Sequence, residues 1–161
     1  MPIYMRITKN GVPIIRGDAT AKGHEKWIEL LSAQMGQSRS IATNRGNTRE
    51  ASAPIMSEIV ITKLMDSAST ALFQQSLNGE GVIIQIDFVK SGGYEATYLT
   101  FTLQNALIFG HQPGASRSDR PTENLTLNFT KMTFDMHGTG QDVSDHAKVL
   151  MRGWDASPGT P

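Results

Sequence analysis

The stretch TENLTLNFTKMTFDM, residues 122–136, constrains the fold more than any other part of the chain. Leu125, Leu127 and Phe129 alternate with Thr126, Asn128 and Thr130, the period-two pattern of a strand with one buried face. Beyond Lys131 the large apolar residues are Met132, Phe134 and Met136, on even positions where the first set is on odd ones, and no turn residue lies between. A flat strand cannot serve one core in this way. The pattern predicts a bulge at Thr130-Lys131 that bends the strand around a corner, as closed antiparallel sheets require.

A second long segment, YEATYLTFTLQNALIFG, also shifts phase. Tyr94, Ala96 and Tyr98 lie on even positions, and Leu99, Phe101, Leu103, Leu107 and Phe109 on odd ones. Before it, VIIQIDFVK predicts a strand with Val82, Ile84, Ile86 and Phe88 inward, joined to the long strand by a hairpin turn at SGG. PIYMRI and VPIIRG predict a first hairpin or a pair of short strands, and HEKWIELLSAQMG a further strand. PIMSEIVITKLM predicts a strand with Ile59 and Ile61 on one face, and HAKVLMRGW a closing strand. One helix is expected, in DSASTALFQQSLNGEG. Asp66 or Ser67 caps its start, Ala68, Ala71, Leu72 and Gln75 share a face, and Asn78-Gly79 supplies a left-handed stop. Residues 36–53 carry one large aliphatic side chain and three arginines and are expected to form a long loop, as is HQPGASRSDRPTE. Seven or eight strands with one helix point to a mainly β fold, an antiparallel β-barrel, in a single domain over 1–155 with a frayed tail at 156–161.

Fifteen basic and fifteen acidic side chains leave no net charge, which argues against nucleic acid or an anionic membrane as the main partner. There is no cysteine, hence no disulfide framework and no thiolate metal site, and no run of eighteen apolar residues long enough for a membrane span. The start MPIYMRITKN lacks the pattern of a cleavable secretory signal. His24, His111, His137 and His146 are scattered, and HEKWI lacks the second histidine of a helical zinc-protease motif. No Gly-x-Ser-x-Gly elbow occurs, and GEGVII lacks the lysine and helix of a phosphate loop. Asn124-Leu125-Thr126 and Asn128-Phe129-Thr130 match the glycosylation pattern but lie inside a predicted strand, where chance is the better account. Phe88, Phe101, Phe129 and Phe134 fall on apolar strand faces and are expected in the core. The expectation is a structural or binding module, not an enzyme, with no cofactor and no metal. A monomeric ligand-binding β-barrel is the alternative, with a hydrolase using an unrecognised Ser/His/Asp set behind it.

In order along nearly the whole chain, GHEKWIELLS, SEIVITKLMDSASTALFQQSLNGE, YLTFTLQNALI and above all TENLTLNFTKM resemble the haemolysin-coregulated protein (Hcp) family, the tube protein of bacterial type VI secretion. The resemblance implies a barrel of two packed sheets with the helix against one side, assembled as a six-membered ring. It further implies that rings stack into a hollow tube inside a contractile sheath, carry a spike protein of the VgrG type, and are expelled from the bacterial cytoplasm without a cleavable signal. Small effector proteins would travel in the lumen. On this basis the lumen is expected to present Glu29, Ser32 and Gln34. The 36–53 loop is expected to stack ring on ring, with Arg39, Arg45 and Arg49 pairing with carboxylates such as Asp119 or Glu123 of the next ring. The subunit interface would use Tyr94 and Tyr98, or Met132, Phe134 and Met136. A phase-shifted strand gains a second use, one half inside the subunit and one half covering a neighbour, with Leu125–Phe129 expected to be the half buried without the neighbour.

Overall fold

The computed structural model describes the backbone of residues 1–38, 41–43, 49–51, 55–90, 96–137 and 150–155, with the side chains of 1–35, 58–90 and 96–137. The alternating segments become strands β1 (Ile3–Lys9), β2 (Val12–Ile15), β3 (Ile28–Leu30), β4 (Ser32–Ser38), β5 (Ile41–Thr43), β6 (Arg49–Ala51) and β7 (Ile55–Leu64). After helix α1 (Ser69–Leu77) come β8 (Val82–Lys90), β9 (Ala96–Gly114), β10 (Thr122–Asn128), β11 (Lys131–Met136) and β12 (Leu150–Asp155). The SGG turn and residues 156–161 lie outside the described residues.

The main sheet runs β2-β1-β8-β9-β10-β7-β4, with antiparallel neighbours. β3 pairs with β1 through Ile3 and Leu30, while β4 pairs with β7 through Ala33 and Ile61. Between them Leu31 donates its N–H to the Thr62 carbonyl at 2.7 Å. Residues 28–38 therefore act as one bent strand that links β1 to β7 and completes the circuit of pairings. Inside it, Met5, Ile7, Ile28, Ile59, Ile61, Ile84, Ile86, Leu103, Leu125 and Leu127 are fully buried in one cluster.

The phase change at Thr130-Lys131 lies at a corner that β9 shares. β9 belongs to both layers, pairing with β8 and β11 in its first half and with β10 in its second. Val82 faces Ala106 and Ile84 faces Leu103, so Gln104 and Asn105 stand against Ile83 alone, a bulge in which Asn105 takes a φ of 49°. The bulge resets the alternation. Phe101 and Leu103 are buried before it, Ala106 and Ile108 after it, and Leu107 and Phe109 are 37% and 53% exposed. The expected common face of Leu103, Leu107 and Phe109 is thus corrected, because asparagine tolerates the left-handed conformation that the bulge needs. A second shift lies where the sequence places one: Phe88 faces Leu99 and Val89 faces Thr97, with Tyr98 extra.

Opposite the Asn105 bulge, residues 122–136 form two strands, one in each layer, and Thr130 donates its N–H to the Gln104 carbonyl at 3.2 Å where the chain turns. Leu125, Leu127 and Phe129 are buried as expected, and Met132, at 3% exposure, joins the same cluster. Met132 is therefore used inside the subunit and leaves almost no surface for a neighbour. The corner rotates the second half so that its first apolar residues still face the common core.

Helix α1 lies against β9, with Ala68 and Leu72 buried. Asp66 Oδ1 accepts the Ala68 N–H at 2.9 Å, and Ser69 Oγ accepts the Asp66 N–H at 2.9 Å, a reciprocal pair in the turn that leads into the helix, whose N-cap is Ala68. Its end departs from expectation. Asn78 is extended (φ −95°, ψ 112°), since the chain passes straight toward β8 and needs no left-handed residue. Two expected loops are shorter than the sequence suggests. β9 continues through His111 to Gly114, and β5 and β6 pair Ile41 with Ala51 and Thr43 with Arg49, so part of 36–53 is a two-stranded arm. Ladder bonds use only backbone, which is why an apolar-poor segment can form them.

Candidate assembly surfaces

On β7 the odd residues Ile59, Ile61 and Lys63 point inward, which turns Glu58, Val60 and Thr62 outward. Register aligns these with neighbours on three strands. Ser32, Thr62, Asn124 and Gln112 form one cross-strand row, and Gln34, Val60, Thr126 and Gly110 the next. Thr62 Oγ1 donates to Asn124 Oδ1 at 2.9 Å within the first row. Within these two rows the side chains are polar and uncharged apart from Val60; Leu107, opposite Asn128, and Phe109 add apolar surface at the β9 margin, and Glu58 a charge at the β7 margin. Ser32 and Gln34, expected in a lumen, lie here. Glu29 does not, because the bend at Leu31 puts it on β3 opposite Tyr4.

The expected interface residues separate. Tyr98 is half-buried with its ring 6.4 Å from that of Phe88, and Phe134 is half-buried with its ring 5.2 Å from that of Phe101. Met136 is 48% exposed. Tyr94, Arg39 and Arg45 lie outside the described residues, and Arg49 is described only as backbone in β6. Asp119 is exposed, but Glu123 is fully buried and already partnered, so it is corrected as a counter-charge for another ring.

Glu123 belongs to a buried clamp that sequence reasoning missed. It lies directly across from Lys63 on β7, and Lys63 Nζ donates to Glu123 Oε1 at 2.6 Å, with both side chains fully buried. Lys63 also donates to Asp66 Oδ1 and to the Leu64 carbonyl, each at 2.8 Å. Ser69 Oγ donates to Glu123 Oε1 at 2.7 Å, and His111 Nε2 lies 2.7 Å from Glu123 Oε2. Burial alone pushes the Glu123 carboxyl up, but hydrogen bonds from Lys63, His111 and Ser69, with the Lys63 charge, outweigh it and hold it below its ordinary value. The signal was present in the sequence: Lys63 stands on the inward phase of Ile59 and Ile61, and Glu123 on that of Leu125 and Leu127. A second buried group lies on the opposite layer. His24 Nε2 is 2.9 Å from Asp87 Oδ2, Thr100 Oγ1 donates to Asp87 Oδ1 at 3.0 Å, and the His24 ring stacks on Tyr4 at 4.8 Å. Both groups join elements by satisfying each other's polar atoms in low dielectric, which is structural chemistry.

A family model described as "Type VI secretion system effector, Hcp" matches residues 4–136. A solved type six secretion system protein is similar in fold at 22% identity, with 96% of this chain and 94% of that chain covered and a TM-score of 0.80. Hcp1 of the E. coli EAEC 042 pathovar, solved as a double tryptophan mutant, is similar at 18% identity, 98% and 100% coverage and a TM-score of 0.76. Hcp1 of Salmonella typhimurium is similar at 19% identity, 96% and 94% coverage and a TM-score of 0.71. No curated protein sequence matches the chain. With the family model spanning most of the barrel, from Tyr4 in β1 to Met136 at the end of β11, this chain belongs to the Hcp family of type VI secretion proteins.

Proposed function

We propose that this chain is the structural subunit of a type VI secretion tube, six copies closing into a ring that stacks, is expelled from the cell and carries small effector proteins in its lumen. The carrying observation is the outer face of β4, β7, β10 and β9, where Ser32, Gln34, Thr62, Asn124, Gln112 and Thr126 make a broad polar surface. A channel for varied cargo needs a wettable wall without a deep pocket, and this face has that character. Glu29 lies away from it and is left out of the lumen wall.

Ring closure needs two different patches on each subunit. Exposed apolar side chains occur in several places, among them Ile14 on β2, Phe73 and Leu77 on α1, and Met136 at the end of β11. Tyr98 and Phe134, half-buried, supply further area beside Met136, and Tyr94 is retained with them. The arm of β5 and β6 is the stacking element, with Arg39, Arg45 and Arg49 facing carboxylates such as Asp119 of the next ring. Exposed pairs contribute only about 0.2–1 kcal/mol each, so stacking is weak and salt-sensitive and gains from sixfold repetition. The spike protein and the contractile sheath are the partners this assembly implies. A monomeric ligand-binding barrel is disfavoured because the barrel interior is filled by its own core.

Deleting residues 38–52 tests the division of labour. Light scattering should find rings of unchanged size that no longer stack, and culture supernatants should lose the protein. Dissociation into subunits would assign the arm to the ring itself and overturn the proposal for stacking.

A further inference from the structure

The β1–β2 hairpin and the segment 16–27 enclose a surface cavity of about 410 Å³, whose charged lining is Arg6, Arg16 and Lys26 against the single carboxylate of Glu25. Its apolar lining includes Trp27, Val12 and Pro13. Three cations around one hollow stand out in a chain with no net charge.

Two of the three are fixed by the fold, Arg6 at its side chain and Lys26 at its backbone. Arg6 faces Gln85 across β1 and β8, and its Nη2 donates to Gln85 Oε1 at 2.8 Å. Its guanidinium carbon lies 4.7 Å from the Trp27 ring centroid. Lys26 adopts a φ of 67°, a conformation that costs a bulky residue about 1–2 kcal/mol. Backbone bonds impose it: Lys26 N–H to the Ala19 carbonyl at 2.8 Å, Gly17 N–H to the Lys26 carbonyl at 2.8 Å, and Ala19 N–H to the Trp27 carbonyl at 3.0 Å. Strain of this kind, over-determined by its surroundings, gathers at binding sites. Glu25 turns to its own loop, where its Oε2 accepts the Gly23 N–H at 3.0 Å. Among the described residues none of the three cations forms an ion pair.

We propose that this cavity binds a carboxylate carried beside an apolar side chain on a polypeptide segment of another protein. A stacked, oriented guanidinium binds a planar carboxylate with two parallel hydrogen bonds and loses little side-chain entropy in doing so. Trp27, Val12 and Pro13 offer the adjoining apolar side chain a wall that a bare inorganic anion would leave unused. The site is independent of the tube assignment, since it needs only the folded subunit.

The test is calorimetric titration of the full chain with an acetylated, amidated Leu-Glu-Leu-Asp tetrapeptide, with its neutral Leu-Gln-Leu-Asn counterpart and with inorganic phosphate. The acidic peptide should bind, more weakly as salt is added, and the neutral peptide should not. The Arg16→Gln/Lys26→Gln variant, altered only at exposed side chains, should lose about tenfold or more in affinity, and Trp27→Leu should also weaken binding. Four results would overturn the proposal: no binding of the acidic peptide, equal binding of both peptides, an unchanged affinity in the double variant, or phosphate binding as tightly as the peptide. A changed sedimentation coefficient of the double variant would likewise count against it, by making the cavity a contact between copies.

Discussion

Lys63 Nζ lies 2.6 Å from Glu123 Oε1, and neither side chain is exposed to solvent. The pair ties β7 to β10 and, through Ser69 and Asp66, ties both to the start of α1. Removing one partner leaves a buried charge uncompensated. Lys63→Met should therefore cost about 3–5 kcal/mol in urea unfolding at fixed protein concentration. Lys9→Met, which breaks the exposed pair with Glu80, should cost under about 1 kcal/mol. Equal costs for the two variants would mean that the clamp does not hold the helix.

Acid should weaken the fold through the same carboxylate. Glu123 is held below its ordinary value of 4.5, so the unfolded chain takes up its proton first as the pH falls. The stability this group supplies is complete above the unfolded value and is lost as the pH drops through the lower, folded value. Unfolding midpoints measured across this window should fall with pH in the native chain. They should fall less steeply in Glu123→Gln, whose stability is already reduced at neutral pH.

Gly17 is fixed by a close approach of backbone to backbone. A Cβ there would sit 2.3 Å from the Trp27 carbonyl oxygen and 2.7 Å from the Ile28 Cα, neither of which can swing aside. Gly17→Ala should cost about 1–3 kcal/mol or more by thermal unfolding. Gly79→Ala, with nothing within 4 Å of its added Cβ, should stay within about 1 kcal/mol of the parent.

Met132 and Met136 lie four residues apart on β11 but differ in burial, 3% against 48% exposed. Met132→Ala should destabilise the subunit by about 2–5 kcal/mol. Met136→Ala should leave subunit unfolding unchanged and lower the fraction assembled, read by sedimentation velocity, if this end of β11 meets a neighbour.

The barrel was legible because alternation marks a strand wherever one face is buried, and Ile59, Ile61, Leu125 and Leu127 alternate without interruption. The β9 bulge was hidden. Leu107 and Phe109 keep the odd-numbered apolar pattern after Asn105 has already turned them outward, and an asparagine beside Gln104 carries no special mark. The β5–β6 arm was missed because backbone pairing needs no alternation of apolar residues, and residues 36–53 show none. The clamp could have been found: a lysine and a glutamate on inward phases of neighbouring strands demand partners. Assembly faces are the least legible part, since Met136 or Gln34 is exposed in the subunit whatever covers it in a ring.

Negative-stain electron microscopy of the purified full chain shows the assembly itself. Annuli of six subunits around an open lumen, singly or stacked into tubes, are expected. Particles of single-subunit size alone, at tens of micromolar protein, would contradict the ring.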